Sequence, residues 1–256
     1  MNLLHAGILG IVEGVTEFLP ISSTAHLVFA SRLLGLEQTA FLGTFEIAIQ
    51  LGAILAVSLV VARRFLVDPR LIPVTLAGFV PTMIAGAVAY PFVKGLLNGT
   101  PLIPILALGI GGVLLIVFER VQSGSLRIGT RLEAVSYRQA AFVGLAQCVA
   151  FVPGVSRAAA TVVGGMWAGL DRRAAVELSF MLAIPTMAAA TGLDLLKSGF
   201  SFSSSEWLLL GTGAATSFLT ATVSVRWLLR YIQTHTFAGF GLYRIVAAFV
   251  LAFVLL

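Results

Sequence analysis

The chain has 256 residues, 59% of them hydrophobic and only 11% charged, and its 16 Lys and Arg against 11 Asp and Glu leave a formal net charge of +5. A soluble domain carries roughly 25% charged residues, so this composition excludes a soluble enzyme and indicates an integral membrane protein. The basic excess is nearly all arginine and belongs to loops at one membrane face, not to a nucleic-acid surface.

At the start, Met1-Asn2-Leu3-Leu4-His5 lacks the basic segment of a cleavable signal peptide. The first apolar region, roughly 2–35, is too long for one crossing at about 1.5 Å per residue. It is broken at Pro20-Ile21-Ser22-Ser23, where proline removes a backbone donor and serine can cap the next helix. Spanning helices follow at roughly 42–62, 71–93 and 101–118. The polar stretch 121–136, with Ser123-Gly124-Ser125, reads as a cytoplasmic linker without chemistry. A second over-long apolar region, roughly 138–170, breaks at Pro153-Gly154-Val155-Ser156. Three more spanning helices complete the chain, at roughly 174–196, 206–229 and 238–256. Cys148 admits no internal disulfide and reads as a small buried apolar residue.

The two breaks share a Phe-x-Pro-x-x-Ser-x-Ala frame, Phe18 to Ala25 and Phe151 to Ala158, and Pro153 follows Pro20 by 133 residues. Each broken region is expected to enter and leave the membrane on one side, and three crossings between them reverse the second. The expected fold is therefore an all-α integral membrane protein with six spanning helices plus two re-entrant helix-break-helix hairpins in an inverted-topology repeat. It is one transmembrane domain, 1–256, with repeats of approximately 1–120 and 137–256. Irregular backbone at membrane depth needs protein or a water-filled cavity around it, so the hairpin tips should meet near the midplane.

Arg63, Arg64, Arg70, Arg120, Arg127, Arg131, Arg138, Arg172, Arg173, Arg226 and Arg230 fall on one side, and Arg32, Lys94 and Lys197 on the other. The positive-inside rule makes the first side cytoplasmic and both termini extracytoplasmic. These arginines read as topology alone.

Between Glu13 and His26 lie two carboxylates, three hydroxyls and an imidazole in otherwise apolar sequence. Ionisable groups at that depth are costly and mark function. Glu13 and Glu17 share a helix face and need a divalent cation, a proton or a cationic substrate beside them. Oxygen ligands favour Mg²⁺ or Ca²⁺. Ser22, Ser23 and Thr24 start the second half-helix, whose free N–H groups suit phosphate. His26 can serve as acid, base, nucleophile or phosphate contact. Ser156 and Arg157 mirror Ser23 and Thr24 in the shared frame, and arginine binds phosphate in a fork. Glu46 and Gln50, on one face of the first spanning helix, stand behind the site. Gly10 and Gly14 allow a close helix neighbour. The glycines at 109, 111, 112, 164, 165, 211 and 213 read as helix packing, and Trp207, Trp227 and Tyr231 as interfacial belts. His5 and His235 read as structural.

These residues resemble the undecaprenyl-diphosphate phosphatase family, the bacterial lipid-carrier phosphatases linked to bacitracin resistance. Glu13 to His26 matches the family's first motif and Pro153-Gly154-Val155-Ser156-Arg157 its second. Phe45 to Ala53, Tyr137 to Ala140 and Glu177 to Pro185 match as well, so the likeness covers nearly the whole chain. The chain departs at Ala25, usually glycine, and at Ala158-Ala159, usually Ser-Gly. The resemblance implies hydrolysis of undecaprenyl diphosphate to undecaprenyl phosphate and phosphate in the bacterial plasma membrane, which recycles the carrier for cell-wall polymers, with the site open to the outer face. On this reading Glu13 and Glu17 hold a divalent cation, and Glu13, Glu17, Ser23, His26 and Arg157 are catalytic. Ser22, Thr24, Ser156, Glu46 and Gln50 contact substrate. The attacking group stays open among Ser23, His26 and water, and so does homodimer formation. The partners are a prenyl diphosphate and membrane lipid, and no nucleic acid. The competing reading is a transporter or flippase for a prenyl phosphate or other anion, which the inverted repeat suits equally.

Overall fold

A computed structural model describes residues 1–97, 102–123, 129–198 and 202–255. Gly124, Ser125 and Arg127 of the expected linker lie outside the described residues, as do the side chains of Lys94 and Ser123. Among the described residues the chain is helical, apart from an isolated bridge between Thr130 and Leu170.

Helix α1 (Leu3–Thr16) begins where the Asn2 side chain accepts the His5 N–H at 2.9 Å. It ends ahead of Pro20, and α2 (Ser23–Leu33) resumes beyond the break. Helices α3 (Ala40–Ala48) and α4 (Gln50–Val67) meet at Ile49, whose backbone stays helical, and together form the span Ala40–Val67. Helices α5 (Leu71–Leu97) and α6 (Leu102–Ser123) complete the first half. In the second half, a reciprocal cap between Ser136 and Gln139 starts α7 (Tyr137–Gln147). One 3-10 turn (Cys148–Phe151) leads to the second break, and α8 (Arg157–Trp167) follows it. Helices α9 (Arg172–Ser198), α10 (Ser204–Tyr231) and α11 (Ala238–Leu255) complete the chain.

Among the described residues six helices, with α3 and α4 taken as one span, are long and apolar enough to cross a membrane, and they coincide with the six expected spans. The four helices flanking the breaks are different. At 14, 11, 11 and 11 residues they reach only about 16–21 Å, short of a hydrocarbon core about 30 Å thick. The helix–break–helix reading of 2–35 and 138–170 thus holds at the level of secondary structure.

Small residues fix how these short helices pack. Helix α1 lies on α10, and a Cβ at Gly14 would fall 2.8 Å from the Ala221 nitrogen. Helix α7 lies on α5, where a Cβ at Gly78 would fall 2.7 Å from the Ala140 carbonyl. Each first half-helix therefore packs on a spanning helix from the other half, while α6 pairs with α11 and α4 with α9. Outward faces carry large apolar groups, such as Phe253 at 91% exposed, as a lipid-facing surface requires.

At the arginine-rich end, Arg64 bridges Glu133 (3.4 Å) and Glu177 (2.8 Å), and Arg173 joins Glu177 at 2.8 Å. Arg172 pairs with the buried Glu119 at 2.8 Å, and Arg70 donates to the Glu133 carbonyl. These arginines do more than set topology: they tie the segment before α7 to both halves. Cys148 is half-buried, with its thiol 3.5 Å from the Gly144 carbonyl, because the 3-10 turn carries it partly outward.

Candidate active site

The two breaks end alike. Ser22 (φ 71°) and Ser156 (φ 74°) are the non-glycine residues with positive φ among the described residues, and each immediately precedes a half-helix. Serine in that region is strained by about 1–3 kcal/mol, and such strain persists where the surroundings impose it. The two caps are one residue further apart in sequence than Pro20 and Pro153 are. By conformation, then, Arg157 corresponds to Ser23, not to Thr24 as the sequence frame aligns it. Both are the first residue of their half-helix.

These two residues meet on one carboxylate. Ser23 Oγ donates to Glu17 Oε2 at 2.5 Å, and an Arg157 terminal nitrogen donates to Glu17 Oε1 at 3.2 Å. The Glu17 and Arg157 side chains are 8% and 12% exposed, so the pair is screened from water and lipid alike. The other Arg157 terminal nitrogen donates to the Ser179 carbonyl at 3.3 Å, and the guanidinium lies 5.6 Å from the Phe18 ring centre. Ser179 Oγ in turn shares a hydrogen with Thr161 at 2.6 Å. The Glu177–Pro185 segment thereby supports Arg157 through Ser179.

The remaining groups divide into spent and unspent. Ser156 caps α8 by accepting from Ala159 N at 3.2 Å. Ser22 makes no side-chain cap, which leaves the α2 N-terminus without one. Thr24 sits half-buried on the first turn of α2. Glu46 accepts from Ser31 at 2.6 Å, and Gln50 is half-buried at the start of α4, across the Ile49 junction. Glu13 is fully buried with no donor on either carboxylate oxygen, although it lies within hydrogen-bonding reach of the Glu17 carboxylate, and Arg157 Nε is buried and unpartnered. Glu17, Glu46 and Arg157 each lie within electrostatic reach of Glu13. A buried orphan of either sign carries a desolvation cost of several kcal/mol for a charged group. Orphans of both signs beside one ion pair fit a bound cation and a bound anion together.

Among the described residues no group of three or more His, Cys, Asp or Glu is arranged to hold a metal ion by itself. Mg²⁺ commonly takes one or two carboxylates and completes its shell with substrate phosphate and water. The orphaned Glu13 carboxylate fits that chemistry, whereas both Glu17 oxygens are already engaged.

His26 faces elsewhere. Its Nδ1 is 2.7 Å from the Ser22 carbonyl, and its Nε2 is 2.7 Å from the Tyr243 hydroxyl. A carbonyl only accepts, so Nδ1 carries the proton and Nε2 accepts from Tyr243. The two rings stack at 5.6 Å with 7° between planes. The structure thus joins Ser23, Glu17 and Arg157 directly and sets His26 one turn along α2. Sequence reasoning missed Tyr243 and its neighbour Arg244.

A family model described as "Bacitracin resistance protein BacA" matches residues 6–250. The chain belongs to this family. Relatives match it over nearly the whole length. An undecaprenyl-diphosphatase of Aquifex aeolicus (strain VF5) is 44% identical over 252 residues, covering 98% of both chains. One of Sulfurihydrogenibium sp. (strain YO3AOP1) is 46% identical over 96% of each. One of Persephonella marina (strain DSM 14350 / EX-H1) is 41% identical over the whole of both chains. The BacA match runs from α1 into α11, so both breaks and the Glu17–Ser23–Arg157 contact fall inside it.

Proposed function

We propose that this chain hydrolyses undecaprenyl diphosphate to undecaprenyl phosphate and phosphate, as its relatives are named for doing. The observation that carries the reading is the meeting of Ser23 and Arg157, one from each break, on Glu17. Phosphoryl transfer is mostly positioning and charge stabilisation, and this arrangement supplies both. Arg157 stands beside the hydroxyl, with its unpartnered Nε left to a phosphoryl oxygen. The uncapped α2 N-terminus adds backbone donors of the same sign.

In the mechanism we favour, Ser23 Oγ bonds to the terminal phosphorus and passes its proton to Glu17. The bond from phosphorus to the bridging oxygen breaks, and the electron pair leaves with the prenyl monophosphate. Water then attacks the phosphoserine, phosphate departs, and Glu17 returns the proton to Ser23. The 2.5 Å Ser23–Glu17 bond favours this order over attack by His26, whose contacts are with Ser22 and Tyr243 and not with the Glu17–Arg157 pair. His26, oriented by Tyr243, moves protons for the leaving group or the attacking water. Glu13, with help from Glu46, would hold a divalent cation, which when bound neutralises pyrophosphate charge.

The halves read as an inverted repeat, supported by the twin strained serines and by the crossed packing of α1 on α10 and α7 on α5. The arginine-rich end is then cytoplasmic, with both termini outside a bacterial plasma membrane.

Purified protein supplied with a prenyl diphosphate and Mg²⁺ should release phosphate. Arg157→Ala should slow release by about 100-fold or more at unchanged folding. Wild-type protein that releases none, yet carries a prenyl phosphate across liposomes, would establish the transporter reading instead.

A further inference from the structure

We propose that Arg244 is the positioning residue that holds the two helix breaks against each other and so sets the spacing of Ser23 and Arg157 across Glu17. The inference rests on the reading of that triad as the catalytic site.

Arg244 lies in α11 and is completely buried. Its bonded partners are five carbonyls. Nε donates to Leu108 at 3.1 Å; one terminal nitrogen donates to Pro20 at 3.1 Å and Val155 at 2.9 Å; the other donates to Ala107 and Gly154, each at 3.2 Å. Arginine has five N–H donors in a fixed fork, and every one is used. Three acceptors belong to the breaks: Pro20 in the first, Gly154 and Val155 in the second. One terminal nitrogen touches both. Carbonyls at a helix end lack partners along the chain, so each break presents acceptors that need a donor from outside. Arg244 supplies it to both breaks at once and anchors them to α6.

The surroundings are shaped for this side chain. A Cβ at Gly111 would fall 2.8 Å from Arg244 Cζ, and one at Gly112 would fall 2.9 Å from Arg244 Cβ. Gly111 therefore serves more than helix packing, because it makes room for the guanidinium, while Gly112 lets the α11 backbone approach at Gly241 and Arg244. Lysine, a point charge with three donors, cannot satisfy five acceptors in this geometry. A purely structural arginine would cost only stability when replaced. A positioning arginine also fixes where α2 and α8 start relative to each other, and a displacement of about 1 Å can cost about 100-fold in rate.

The test uses full-length protein in which Cys148→Ser frees two labelling sites, Leu33→Cys and Trp167→Cys, at the exposed ends of α2 and α8. Nitroxide pairs there report the separation of the two half-helices. Arg244→Lys, Arg244→Met and Gly111→Ala, whose new Cβ presses on the guanidinium, are each compared with the parent. The proposal expects a broadened or shifted distance distribution and a fall in kcat of about 100-fold for Arg244→Met. Arg244→Lys should be intermediate, and KM should stay within about threefold. Should Arg244→Met fail to fold, Arg244→Lys and Gly111→Ala carry the test. Parental kcat with an unchanged distance distribution in the folded variants overturns the proposal, even if they melt earlier. Arg157→Ala in the same assay separates the two claims: full activity there defeats the site reading itself, whatever Arg244 does.

Discussion

Glu17 accepts from Ser23 and Arg157, the first residues of α2 and α8, and the proposed chemistry turns on this one carboxylate. Glu17→Gln keeps the shape but removes the charge and leaves one acceptor oxygen for two donors, and the expected outcome is a rate loss of about 100-fold, measured as initial phosphate release. Tyr243→Phe removes the hydroxyl that fixes His26 Nε2 and retains the stacked ring. It should lower kcat by about 10-fold, less than the roughly 100-fold or greater loss expected of His26→Ala. A larger effect of Tyr243→Phe than of His26→Ala would show that Tyr243 acts on substrate directly. Glu13, Glu17, Ser23, His26 and Arg157 stood out in the sequence as site candidates because charge and hydroxyls interrupt apolar helices there. Arg244 was equally visible in principle, as an arginine inside an 18-residue apolar helix, where charge is costly. It stands alone in its segment, however, and its partners are backbone carbonyls, which no pattern of side chains can announce. Tyr243 was hidden for a simpler reason: aromatics near helix ends also form interfacial belts.

At the level of elements, the breaks do the organising. Proline marked both in the sequence, and the helices fell where the apolar runs placed them. The pairing of Ser23 with Arg157 was not legible, because the second break holds one extra residue and the repeat frame was set by proline and serine identity. Only the backbone conformation reveals that Ser22 and Ser156 are the matching caps. Positive φ at Ser22 disfavours a β-branched residue far more than glycine. Ser22→Val should therefore cost more than about 1 kcal/mol, and Ser22→Gly should be better tolerated, as read by thermal unfolding in detergent. Packing gives a second outcome. Gly14→Leu would drive α1 off α10, where even a Cβ finds the Ala221 nitrogen at 2.8 Å. Overpacking of this kind costs about 1–3 kcal/mol or more and should lower the melting temperature together with activity.

Across the whole molecule, the arginine-rich end stands apart in charge, and the proposed site draws on both halves of the chain. Six spans and the arginine bias were legible because hydropathy and loop charge are summed over many residues. The cross-half packing was not, since it depends on which glycines face which helix. Orientation has a direct readout in the Cys148→Ser background. A membrane-impermeant maleimide on intact cells should label Ser205→Cys, at the end away from the arginines, and reach Arg131→Cys only after permeabilisation. The reverse pattern would invert the topology. The central claim is that two breaks from opposite halves build one catalytic unit, and a double-mutant cycle across them tests it most directly. Phosphate release is measured for Ser23→Ala, Arg157→Ala and the double variant. Groups that act as a unit are strongly non-additive, so the double variant should fall within about threefold of the slower single variant. Losses that multiply would contradict the account, because they would mean that Ser23 and Arg157 contribute to turnover independently.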